Sequence, residues 1–119
     1  MNPVIKEKWV AALRSGEYTQ GTGVLNRLDE EFCCLGVLCE IALKEGVDIE
    51  KALEPMRDYE VYTYGGSVYC LPDEVERWSG LDQDELVPHP VDDRNTTLAA
   101  VNDSKVSFTV IADIIEEYF

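Results

Sequence analysis

Phe32-Cys33-Cys34-Leu35-Gly36-Val37-Leu38-Cys39-Glu40-Ile41-Ala42-Leu43 holds a single charge, Glu40, before Lys44 is reached. The run is too long and too rich in Leu and Ala for one strand, and Gly46 supplies a C-terminal stop. It predicts a buried helix over about residues 34–45, entered through a short extended piece at Phe32-Cys33. On its N-terminal side, Asp29-Glu30-Glu31 reads as an exposed turn. Residues 17–28 read as extended chain, in which Gly21 and Gly23 permit tight turning or the close approach of another group.

Further outward, Asn2 and Pro3 suit a helix start, as cap and first turn. Ile5, Trp9, Ala12 and Leu13 recur at helical spacing until Gly16, so a helix is expected over about 3–15, with Trp9 as a core anchor. Tyr59, Val61 and Thr63 alternate with Glu60, Tyr62 and Tyr64, and Gly65-Gly66 separates them from Ser67 to Leu71. That pattern predicts a hairpin over 58–71. Pro72 opens a short helix, Asp73 to Trp78, closed by Ser79-Gly80. Residues 82–96 read as a long surface loop and Leu98 to Val101 as a strand. Ser107 caps a last helix carrying Phe108, Ile111, Ala112, Ile115 and Tyr118 on one face. The expectation is α+β: a single compact domain over 1–119, with three to four helices around a small antiparallel sheet.

The chain has 10 Lys+Arg against 24 Asp+Glu, a net charge of −14. Residues 1–28 depart from this. Four basic groups (Lys6, Lys8, Arg14, Arg27) face two acids (Glu7, Glu17) there, for a net +2, which leaves −16 on residues 29–119. An acidic body excludes broad adhesion to nucleic acid or to an anionic membrane. No run approaches the roughly 18 to 20 apolar residues of a membrane helix. Lys6, Glu7 and Lys8 interrupt any secretory h-region, so a cytoplasmic protein is expected. In that compartment Cys33, Cys34, Cys39 and Cys70 are expected as free, buried thiols. Their spacing matches no zinc knuckle, and no metal or cofactor is expected.

The locally basic N-terminal segment offers one confined place for an anion. Gly21-Thr22-Gly23 lacks the Lys-Ser/Thr of a P-loop and the third glycine of a dinucleotide fingerprint. Two readings stay open: a glycine-bearing turn with both arginines paired to acids, or an anion nest of backbone amides flanked by Arg14 and Arg27. Asn102-Asp103-Ser104 reads as a turn before the last helix or as part of the same pocket. In the binding reading Arg14 or Arg27 meets a phosphate or carboxylate, with Gln20 and the amides of Gly21 and Gly23 nearby. Asn102 and Ser104 then reach neutral polar groups, and Trp78 or Tyr18 stacks on a base. Asp82, Asp84 and Glu85 break the EF-hand spacing. His89, between two prolines, has no orienting motif for nucleophilic catalysis. A non-enzyme is expected.

The segments Trp9-Val10-Ala11-Ala12-Leu13-Arg14-Ser15-Gly16-Glu17-Tyr18-Thr19-Gln20-Gly21 and Phe32 to Cys39 resemble a family of small bacteriophage and prophage proteins. Leu71-Pro72, Trp78 to Leu81, and Val101-Asn102-Asp103-Ser104 through Phe108 to Ile115 share the resemblance; residues between Gly46 and Leu71 do not. The resemblance brings no catalytic residues. It implies a phage accessory product in the cytoplasm of an infected or lysogenic bacterium, and by association a counter-defence role. Two functions are then weighed. The first is sequestration, without chemistry, of a small nucleotide-derived immune signal, with a homo-oligomer interface as one means of enclosing it. The second is an acidic inhibitor covering the basic nucleic-acid surface of a host defence protein.

Overall fold

The computed structural model describes residues 1–119. Helix α1 (Pro3–Ser15) starts where Asn2 Oδ1 accepts the amides of Val4 and Ile5 at 2.9 and 3.2 Å, and it stops at Gly16, φ 79°. Its buried face is Ile5, Trp9, Val10 and Leu13. Trp9 is wholly enclosed, and its indole Nε1 donates to the Cys34 carbonyl at 2.9 Å. That bond fixes α1 against the start of α2 (Cys34–Lys44). All residues from Cys34 to Cys39 in α2 are buried, with Ile41 and Ala42, and the Cys33 thiol caps the helix by accepting from Gly36 N at 3.4 Å.

Gly36 is a packing requirement. A Cβ there would lie 1.8 Å from the Leu25 carbonyl oxygen, so the Leu25 backbone reaches the helix only because the side chain is missing. The strand that follows, β1 (Asn26–Arg27), pairs antiparallel with β2 (Glu31–Phe32) across a turn whose Leu28 and Asp29 both have positive φ. Buried Asn26 holds this turn. Its Oδ1 accepts from Asp29 N at 2.7 Å, and its Nδ2 donates to Asp29 Oδ1 and to Tyr64 Oη, each at 2.8 Å.

Three expectations for the middle of the chain are corrected. Strand β4 (Glu60–Tyr64) pairs with β3 (Lys51–Pro55), in register from Lys51↔Tyr64 to Pro55↔Glu60, while across Gly65-Gly66 the expected hairpin is reduced to a single antiparallel bridge, Tyr64↔Ser67. Gly65-Gly66 makes a tight turn just beyond β4, and the segment after Ser67 is taken up elsewhere. The Val68 carbonyl accepts from Leu25 N, and both backbone groups of Leu71 bond to the Gln83 side chain. Leu98–Val101 is helical, the first part of α4 (Leu98–Asp103), because Thr97 caps it through Ala100 N at 3.3 Å. Residues 82–96 follow α3 (Asp73–Ser79) and are not all surface. They form a small ribbon of β5 (Val87–Pro88) and β6 (Asn95–Thr96) with Val87 and His89 buried.

The last helix, α5 (Phe108–Tyr118), is capped by Ser107 and buries Phe108, Ile111, Ala112, Ile114 and Ile115. Tyr118 is exposed, and Ile114 completes the inward face in its place. Five helices and three separate two-stranded antiparallel ribbons thus enclose one core, an α+β arrangement with more helices and less continuous sheet than expected. No helix is long and apolar enough to cross a membrane.

Candidate functional site

The segment expected to bind a ligand is held by hydrogen bonds along both of its sides. Phe32 N donates to Thr19 O at 2.9 Å and Gly21 N to Phe32 O at 2.8 Å, so residues 19–21 lie beside β2. On the other side stands Asn102 of α4, fully buried. Its Nδ2 donates to Gly21 O at 2.8 Å, and its Oδ1 accepts from Gln20 Nε2 and from Cys34 N, each at 3.1 Å. Gln20 Nε2 also donates to Val106 O at 2.7 Å. The result is a rigid shelf, and it forms one wall of a groove of about 450 Å³ lined by Gln20, Gly21, Thr22, Val24, Arg27, Glu31 and Lys105.

The groove gathers only part of the expected set. Gln20, Gly21 and Arg27 line it; Asn102 supports it from beneath. Gly23 is adjacent, but its amide donates to Asp103 Oδ1 at 2.9 Å, and the Gly21 amide is bonded to Phe32. An anion nest on those two amides is therefore not available. Ser104 ends α4 with its hydroxyl on Ala100 O at 3.0 Å. Tyr18 is set edge-on to Phe32, ring centroids 5.1 Å apart, and its hydroxyl accepts from Lys44 Nζ at 3.1 Å. Trp78 packs against the core from α3 and does not line the groove. Arg14 lies elsewhere, in a shallow groove between α1 and α5, held by Asp113 at 2.6 Å and by Glu116. Those hydrogen bonds, Asp113 first and Glu116 second, raise its guanidinium above the usual arginine range.

Four lining residues were not expected there, Thr22, Val24, Glu31 and Lys105, and two of them are charged, Lys105 and Glu31. Lys105 follows α4 in a left-handed conformation, φ 65°, where glycine is the usual occupant. Glu31 faces Arg27 across the β1–β2 ribbon, a placement that ordinarily makes a cross-strand ion pair. No such pair forms. The Arg27 guanidinium instead lies 4.4 Å over the ring of Tyr59. Arg27, Glu31 and Lys105 make no ion pair and no side-chain hydrogen bond within the chain. Lys105 beside Asn102-Asp103-Ser104 was within reach of sequence reading. The diversion of Arg27 onto Tyr59 was not.

The cysteines divide. Cys33, Cys34 and Cys39 are buried; Cys70 is exposed, contrary to expectation. Burial pushes the Cys33 thiol up to about 11 and raises Cys34 and Cys39 well above the ordinary thiol value. They are poor nucleophiles at neutral pH. No group of three or more His, Cys, Asp or Glu side chains is placed to hold a metal ion.

Fold and groove together define a small α+β protein with a preformed polar recess bearing two unpaired cations and one unpaired carboxylate. A family model described as Domain of unknown function (DUF8296) matches residues 1–119, and the chain belongs to that family. No curated protein and no solved structure matches it.

Proposed function

We propose that this protein is a phage-type accessory factor that binds and sequesters a small anionic, nucleotide-derived signal of host immunity in the Gln20–Lys105 groove, acting in the bacterial cytoplasm and without chemistry on the ligand. One observation carries the reading: Arg27 and Lys105 share a groove and neither is neutralised, in a chain with 24 acids to 10 bases. An acidic body repels an anion unless a few cations exceed that repulsion locally. Arg27 has an acid directly across the ribbon and is nevertheless turned away from it. The shelf built on Asn102 keeps the groove formed before a ligand arrives, which lowers the ordering cost of binding. The phage assignment rests on the sequence resemblance alone.

The test is retention. The purified protein is incubated with cyclic and ADP-ribose-derived nucleotides, desalted, heat-denatured, and the released material analysed. Recovery of intact nucleotide in stoichiometric amount is the expected result. Recovery of altered nucleotide makes the protein an enzyme. No retention from any member of the panel defeats the reading and favours a protein target for the acidic surface.

A further inference from the structure

Resting on that reading of the groove, we infer that the ligand it selects carries a guanine base, read by the unpaired carboxylate of Glu31. A groove meant only for a phosphate has no use for a carboxylate, which repels it. Glu31 nonetheless lines this one, half-buried, with no internal partner. Its side chain leaves β2 on the same face as Arg27, the cation that would otherwise neutralise it. The guanidinium is kept over Tyr59 instead, so the carboxylate remains a free double acceptor.

Two parallel acceptor oxygens complement two adjacent donors. Among the common bases only guanine places two N–H donors side by side, at N1 and the exocyclic N2. Adenine and cytosine each set an amino donor beside a ring acceptor, which would face carboxylate lone pairs. Uracil has a single N–H between two carbonyls. The remaining groups fit the same ligand. The face of the Arg27 guanidinium turned away from Tyr59 is a cationic plate on which a purine stacks, and Lys105, also lining the groove, supplies a mobile point charge for a phosphate. Gln20 stays committed to Asn102 and Val106, so it shapes the wall and leaves base reading to Glu31.

Calorimetric titration of the full chain with GMP, AMP and inorganic phosphate, repeated on Glu31→Gln, tests this. Glu31→Gln replaces one acceptor by a donor and keeps the shape and the half-buried position. The parent should bind GMP at least tenfold more tightly than AMP, and Glu31→Gln should lose that preference while its affinity for phosphate is kept or rises. Equal affinity for GMP and AMP in the parent overturns the guanine assignment and leaves nucleotide binding standing. So does a GMP preference that survives Glu31→Gln. If neither nucleotide binds while the chain is folded, as judged by its melting transition, the guanine assignment falls, and the retention panel alone decides the sequestration reading.

Discussion

The Asn102 side chain holds Gly21 by its carbonyl at 2.8 Å while its own oxygen takes the Cys34 amide, so one amide group joins the ligand-side shelf to the first turn of the buried helix. The order of events runs from fold to function here. Cys33 caps the central helix through Gly36, and Asn102 adds a partner for its first amide, Cys34 N, while tying the groove wall to that helix end.

Asn102→Ala is therefore expected to destabilise the fold and dismantle the groove together. It leaves the buried Cys34 amide without a partner, at about 1 to 3 kcal/mol, and releases the part-buried Gly21 carbonyl at the groove wall. Denaturant melts should show a loss of at least about 1 kcal/mol. Asn102→Asp is the sharper variant. It keeps an acceptor for Cys34 but sets a carboxylate oxygen against the Gly21 carbonyl, so it too should be well below the parent in stability at neutral pH. A melt within error of the parent for either variant removes Asn102 from this role.

Gly36→Ala probes the other close approach. The added methyl would meet the Leu25 carbonyl at 1.8 Å, and that atom is backbone at the entry to β1. Neither partner can rotate away, so relief requires moving the ribbon that carries Arg27 and Glu31. Overpacking of this kind costs about 1 to 3 kcal/mol or more. The expected signature is a lower melting temperature, with the amide resonances of Leu25 to Phe32 shifted more than those of α5.

Much of this architecture was readable along the chain, because its helix ends are written in local chemistry. Asn2, Pro3 and Gly16 bound α1, Ser107 opens α5, and the apolar run from Phe32 gives α2. What escaped reading is what depends on distant partners. Lys51–Pro55 has no strand signature of its own, with Lys, Glu and Pro among its five residues, and becomes a strand because Glu60–Tyr64 needs a neighbour. Gly65-Gly66 does turn the chain back, but the pairing stops at Tyr64↔Ser67, and the residues beyond bond to Leu25 and Gln83 instead. Leu98–Val101 is too short for periodicity to decide, and the Thr97 cap decides it. At the site, charge density along the sequence singled out residues 20–27, of which Gln20, Gly21 and Arg27 line the groove, and Arg14, which lies apart from it because Asp113 and Glu116, a hundred residues away, meet it through the packing of α5 on α1.

Thiol chemistry should separate one cysteine from three. In the folded chain only Cys70 is exposed, so a disulfide reagent at neutral pH is expected to titrate one thiol quickly and four after denaturation. The buried thiols also give stability a pH dependence of definite sign. Their folded-state pKa values lie above the ordinary 9.0. The contribution is therefore fully present below that value and is lost as pH rises through the raised folded values, about 11 for Cys33. Denaturant midpoints should fall across that alkaline window. Rapid reaction of three or four thiols in the native protein would mean the core around α2 opens freely.

Lys105 offers the most direct separation of stability from function. A lysine in a left-handed backbone conformation at a helix end is held at a cost of about 1 kcal/mol relative to glycine, which adopts it freely. Nothing within the chain compensates, since its ammonium makes no ion pair. Lys105→Gly should thus leave the fold as stable as the parent or more so, partly offset by the greater freedom of glycine in the unfolded chain. The same change removes a charge-assisted contact, about 1.5 to 3 kcal/mol, from any anion in the groove. Affinity for the retained nucleotide should therefore fall at least tenfold, with a similar loss for Arg27→Ala. Arg14→Ala, which touches only the α1–α5 surface, should bind as the parent does. A Lys105→Gly chain that melts no lower and binds no weaker would show that the cation is idle and that the ligand, if there is one, lies outside this groove.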